Sequence, residues 1–198
     1  MDINTIKAAI QAWGAIHHNG SAMVQMFQQG NSFLYSLPNY AAGSPRVHVY
    51  PGIYQNNLLF FVIPSNYDSA QYAATINNYV TVCDARWFTS GTHDRITFAE
   101  AHDRIERWHN HYHNWVPARA NTVNGVFQAF AIPIQDFETT DVGMVLGLKL
   151  EIGETNDQKA DMIVVNQMPN RKIYFDDFVR SVPPYGATEN PSDFYLML

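Results

Sequence analysis

Four side chains able to hold a metal ion or move a proton recur in one short segment: His102, Glu106, His109 and His113, spaced 4, 3 and 4 apart. On a helix turning about 100° per residue they occupy an arc of about 60°, so all four share one face. Imidazoles and a carboxylate so arranged can present nitrogen and oxygen donors to a divalent ion such as zinc, iron or manganese, as Glu-x-x-His pairs do in helical carboxylate sites. One helix rarely completes a coordination shell, and the groups available to complete it are His17 and His18, Asp84, or His93 and Asp94. The expectation is a His/Glu-lined pocket that binds a metal ion or a small-molecule ligand, with acid/base catalysis as one use of it. A structural role competes strongly, because histidines beside a core stripe often sit half-buried with a local partner. Pairs at i,i+3 or i,i+4 stabilise a helix by only about 0.2–0.5 kcal/mol each. The His-Glu-x-x-His pattern of zinc proteases is absent, and His111 falls on a different side of the helix.

Cys83 could act as a nucleophile, with His93 or His102 as base and Asp84, Asp94 or Asp103 orienting it. Its setting, VTVCDARWF, instead reads as an apolar strand in which a lone cysteine is a small core residue. No Gly-x-Ser-x-Gly elbow, Gly-x-Gly-x-x-Gly turn or Walker loop occurs. The other signal is aromatic: 11 tyrosines, 12 phenylalanines and 4 tryptophans, set among few charges. Tyr35, Tyr40, Tyr50, Tyr54, Tyr67 and Tyr185 are expected in or near loops. There they can line a ligand pocket, with Tyr35 and Tyr40 as its candidate members, or form a protein interface.

The elements that must carry these residues follow from periodicity. Ile3, Ile6, Ile10, Trp13, Ile16, Met23, Met26 and Phe27 keep helical spacing, with Asp2 or Asn4 as cap and with Gly14 and Asn19-Gly20-Ser21 as weak points, so that one amphipathic helix, bent or interrupted there, and two helices both fit. Residues 32–45 read as loop. A half-exposed strand at 46–50 and a central one at 58–63 follow, joined by an Asn56-Asn57 turn. Asp68 or Ser69 starts a predicted helix through Tyr79, and Val80–Trp87 a strand. The most regular helix runs from Thr97 to Val116, ended by Pro117, with Phe98, Ala101, Ile105, Trp108, Tyr112 and Trp115 facing the core. Strands follow at 126–134, 144–152 and 160–166; Arg171–Val179 fits a helix or a strand, and the apolar ending PSDFYLML should pack on this domain or on a partner. LLFFVIPSNYD at 58–68 and QAFAIPIQDFE at 128–138 share a loose pattern, a hint of repetition.

These readings point to one α+β domain over residues 1–198: a mainly antiparallel sheet packed against two or three helices. The net charge of −6 and the lack of a dense Lys/Arg run argue against nucleic acid. The longest apolar runs, Leu58–Pro64 and Val142–Leu150, are too short to span a bilayer, so no membrane partner is expected. A single cysteine and a polar N-terminal segment fit the cytoplasm. Protonating all 8 histidines would carry the charge from −6 to +2, a formal capacity for pH response. With 30 charged residues in 198, self-association into a homo-oligomer is expected. The alternative to a ligand pocket is therefore a protein-interaction or self-assembling structural protein that uses aromatic loops and the apolar C-terminus.

Overall fold

The computed structural model describes residues 1–88, 96–150, 158–170, 172–177, 179–183 and 190–198. Its elements are α1 (Ile3–Ile16), α2 (Gly20–Phe27), β1 (Ser32–Ser36), β2 (Arg46–Tyr54), β3 (Asn57–Pro64), β4 (Thr81–Asp84), α3 (Phe98–Ala120), β5 (Ala129–Pro133), β6 (Asp141–Leu150), β7 (Gln158–Gln167), β8 (Ile173–Asp176) and β9 (Arg180–Val182). The strands form two antiparallel sheets, ordered β1-β6-β7-β8 and β4-β3-β2-β5-β9. The α+β expectation holds, with two facing sheets where one was predicted. No helix among the described residues is long and apolar enough to cross a membrane.

Alternation along the strands creates three packed layers. Val47, Val49, Phe60, Val62, Phe130 and Ile132 from one sheet meet Met144, Leu146, Met162 and Val164 from the other in the central core. The opposite face of the five-stranded sheet offers Tyr50, Phe61 and Ile63 to Ile6 and Ile10 of α1 and to Phe194 and Leu196 of the C-terminal segment. The outer face of the four-stranded sheet places Val145, Ile163 and Phe175 against Ala101 of α3.

The first helical stretch runs through Gly14 and divides into two helices at the second weak point, before Gly20. Asp2 accepts a hydrogen bond from the Thr5 N–H at 3.0 Å, and Asn19 caps α2 through the Ala22 N–H at 3.1 Å. A Cβ on Gly20 would lie 2.5 Å from Pro117 Cα, so this glycine lets α2 pack directly on α3. α3 itself does not stop at Pro117. The proline sits inside the helix, which continues to Ala120 because Val116 and Ala120 are buried on either side of it.

Several expectations change for tertiary reasons. Residues 32–36 form a strand, in which Phe33 and Tyr35 face inward and Leu34 outward, because β6 offers them a ladder. β2 is buried on both faces and lies in the middle of its sheet, while the turn falls at Gln55-Asn56, both with positive φ. Gly52 continues β2 where a Cβ would approach Phe61 Cε2 to 2.5 Å and the Ala9 backbone to 3.1 Å. The segment after β3 forms short 3-10 turns at Ser65–Tyr67, Ala70–Tyr72 and Ile76–Asn78 instead of an α-helix. Its serines, asparagines and Asp68 compete with helical hydrogen bonding. Arg171–Val179 resolves into strand β8 over Ile173–Asp176. The two similar segments flank β2 symmetrically, with Pro64 opposite Val47 and Pro133 opposite Arg46, and each leaves its strand through a 3-10 turn.

Candidate functional site

The start of α3, the chain after β4 and strand β8 enclose a cavity of about 340 Å³. Trp87, Phe88, Phe98, Ile105 and Phe175 form its apolar walls, while Asn31, His102, Glu106 and His109 supply polar groups. Three of the four predicted stripe residues thus share one cavity wall. The ring of His109 lies 5.4 Å from Trp87 in an edge-on arrangement, and His102 lies 5.5 Å from Phe98. His102 Nε2 and Glu106 Oε1 stand 3.9 Å apart with about half of each side chain exposed, a contact weakened by water.

Asn31 is the polar residue buried at this cavity, at 2% exposure. Its backbone N–H donates to Arg86 O at 3.0 Å, its backbone carbonyl accepts from Leu146 N–H at 2.7 Å, and its Oδ1 accepts from Phe88 N–H at 3.1 Å. Since the backbone donor of Phe88 selects the amide oxygen, the Nδ2 group is fixed on the other side, without a hydrogen-bond partner among the described residues. Sequence reading missed Asn31; the signal available was a polar residue directly after the helix-ending Gly30 and before an inward-facing strand.

The stripe does not converge on one point. His113 is exposed and lies off the cavity, its ring 5.8 Å from that of Tyr112. With a rise of about 1.5 Å per residue, 11 residues from His102 to His113 span about 16 Å, whereas two nitrogen donors to one tetrahedral zinc ion sit about 3.3 Å apart. Among the described residues no three His, Cys, Asp or Glu side chains come together as a group that could hold a metal ion. Of the completing groups, His17 and His18 lie with their rings tilted against each other, centroids 4.0 Å apart, and bond to backbone carbonyls of Gly14 and Ala120. His93 and Asp94 lie outside the described residues.

The tyrosines divide. Tyr35 is an inward β1 residue packed on Phe137, with its hydroxyl buried and unpartnered among the described residues; burial raises its pKa above the ordinary phenol value. It belongs to the core and not to a loop. Tyr40 joins a different place: with Tyr67, Tyr72 and Tyr79 it forms a cluster in which Tyr67 and Tyr79 stack at 4.0 Å and Tyr40 meets both at about 5.5 Å. Tyr50 is buried, and Tyr185 lies outside the described residues. Cys83 is a core thiol: burial first, and then the nearby Asp84 charge, push its pKa up to about 12, so at neutral pH it is not an activated nucleophile.

Two buried polar networks escaped sequence reading. Asp68 accepts from His48 Nδ1 at 2.8 Å, from the Tyr50 hydroxyl, and from Leu196 N–H at 3.1 Å, while Phe194 stacks on His48 at 4.4 Å. This network fastens the C-terminal segment to the five-stranded sheet, so Phe194 and Leu196 are internal core residues. On the other side, Arg104 donates to Asp161 at 2.8 Å, to Glu100 at 2.7 Å and to Asp177, which also receives Lys149 at 3.1 Å. Gly147 makes room for it, because a Cβ there would meet Arg104 Cβ at 3.1 Å. Asp161, alone among apolar neighbours in DMIVV, was the visible sign that a buried cation must exist. Compared with protein-family models, curated proteins and solved structures, the chain matches none.

Proposed function

We propose that the protein is an interaction module that self-associates through the tyrosine cluster of Tyr40, Tyr67, Tyr72 and Tyr79. The observation that carries this reading is a cluster of four packed tyrosine rings, three of which lie in a stretch of chain with no exposed charged side chain. Over residues 65–80 the one ionisable carboxylate or cation is Asp68, and it is buried, while Gln71, Asn77 and Asn78 are exposed neutral residues at the patch. Removing such a surface from water leaves no charge unpaired, and tyrosine hydroxyls both donate and accept, so the same patch can face itself across a two-fold axis. The reducing cytoplasm suits a chain with one buried thiol. Sedimentation across a concentration series tests the reading. A reversible dimer is expected, and Tyr40→Glu, at a residue 37% exposed, is expected to abolish it while leaving a cooperatively folded monomer. A concentration-independent monomer, or a dimer indifferent to Tyr40→Glu, refutes it.

A second reading is supported by the cavity beside α3: small-molecule binding with His102, Glu106 and His109 on one wall. The metal-ion version of that site is weakened by the length of the stripe. Elemental analysis of the wild type and of a His109→Ala/His113→Ala double variant separates the two versions. No stoichiometric ion is expected; an ion held by the wild type and lost from the double variant would reinstate the metal.

A further inference from the structure

We infer that the cavity beside α3 takes an uncharged, flat aromatic molecule that carries a ring carbonyl, with the carbonyl accepting a hydrogen bond from Asn31 Nδ2. This rests on the small-molecule reading of the cavity and names the class of ligand. The volume of about 340 Å³ lies at the small end of ligand cavities and suits a bicyclic ring system. Trp87, Phe88, Phe98 and Phe175 provide aromatic surface, and ring-on-ring contact favours planar partners.

The chemistry of the polar end is selected by Asn31. Its oxygen is oriented toward the Phe88 N–H, which leaves the Nδ2 amide as the group without a partner, and a ring carbonyl answers such a donor. A carboxylate would bring a full charge to a buried place with a single neutral donor and with Glu106 on the same cavity wall, an unfavourable exchange for its hydration. His102 and His109 stand nearer solvent, where they can pair with polar edges of the ring without having to neutralise it. An apolar ring of the same outline would shut Nδ2 off from water without offering it an acceptor.

The test uses the full chain and three probes of similar outline: coumarin, naphthalene and 2-naphthoate, followed by ¹H–¹⁵N NMR of the Asn31 side-chain amide and the Trp87 indole. Coumarin is expected to shift both signals and to bind roughly tenfold more tightly than naphthalene, a difference of about 1.4 kcal/mol. Asn31→Asp keeps an acceptor for Phe88 but loses the donor, and should erase coumarin's advantage. Trp87→Ala, at an exposed position, leaves the fold intact and should weaken every probe. Equal binding of coumarin and naphthalene at Trp87 overturns the carbonyl assignment while leaving the cavity as a binding site. Tightest binding by 2-naphthoate overturns the uncharged class. Failure of all three to move the Trp87 signal overturns both this inference and the small-molecule reading.

Discussion

Replacing Arg104 with methionine is expected to destabilise the protein mainly by stranding one carboxylate. Arg104 is 6% exposed and its guanidinium bonds three acids, but those acids do not lose equally. Glu100 is 44% exposed and can return to water, and Asp177 keeps Lys149 at 3.1 Å. Asp161, at 3% exposure, has no such recourse. Its carboxyl is already pushed up to about 6, by burial foremost, with Arg104 opposing that rise. Removing one partner of a buried pair typically costs about 3–5 kcal/mol, and methionine recovers part of the packing of the aliphatic stem. Urea unfolding at pH 7 should therefore show a loss of about 3 kcal/mol. The pH dependence carries the more specific test. A carboxyl whose folded-state value lies above its unfolded value of 3.8 stabilises the fold while protonated, and that contribution fades as pH rises from about 4 through about 6. Without Arg104 the window must move to higher pH, so the variant should be closer to wild type at pH 5 than at pH 8. Asp161→Asn in the Arg104→Met background should restore much of the lost stability. A loss below about 1 kcal/mol, or one equal at both pH values, would refute the stranded-charge account.

The C-terminal segment should behave as core. Deleting residues 191–198 removes the fully buried Phe194 and Leu196 and is expected to lose several kcal/mol, read as a lower urea midpoint; an unchanged midpoint would mean that the tail is peripheral. Asp68→Ala removes the acceptor shared by His48, Tyr50 and the Leu196 N–H, and should cost about 3 kcal/mol with faster hydrogen exchange at Leu196 than at central-core amides. Gly52→Ala should cost about 1–3 kcal/mol in thermal unfolding, since its Cβ would stand 2.5 Å from Phe61 and 3.1 Å from the Ala9 backbone.

Local patterns in the chain were enough to locate much of the fold. The apolar stripe of α3, its Thr97 cap and the inward Met144, Leu146 and Leu148 of β6 depend on spacings within one or two turns of the chain, and each is where the local pattern puts it, although β6 begins earlier, at Asp141, and Leu150 is exposed. The shared face of His102, Glu106 and His109 was legible for the same reason. What depends on distant partners was not. A five-residue strand such as β1 exists because β6 lies beside it, and β2 is central because β5 completes its second edge. Tyr35, Arg104 and His48 are buried by neighbours 50 or more residues away or by the sheet beneath them, contacts to which a periodic pattern is blind. Asn31 acquires its oriented amide only when Phe88 and Leu146 close around it. The amino-acid sequence by itself determined which faces are apolar and which residues share a helix side, because those are properties of one element. Which faces meet, which charges are enclosed and whether a stripe becomes one wall of a cavity were decided by tertiary packing, where burial and pairing act across the whole chain.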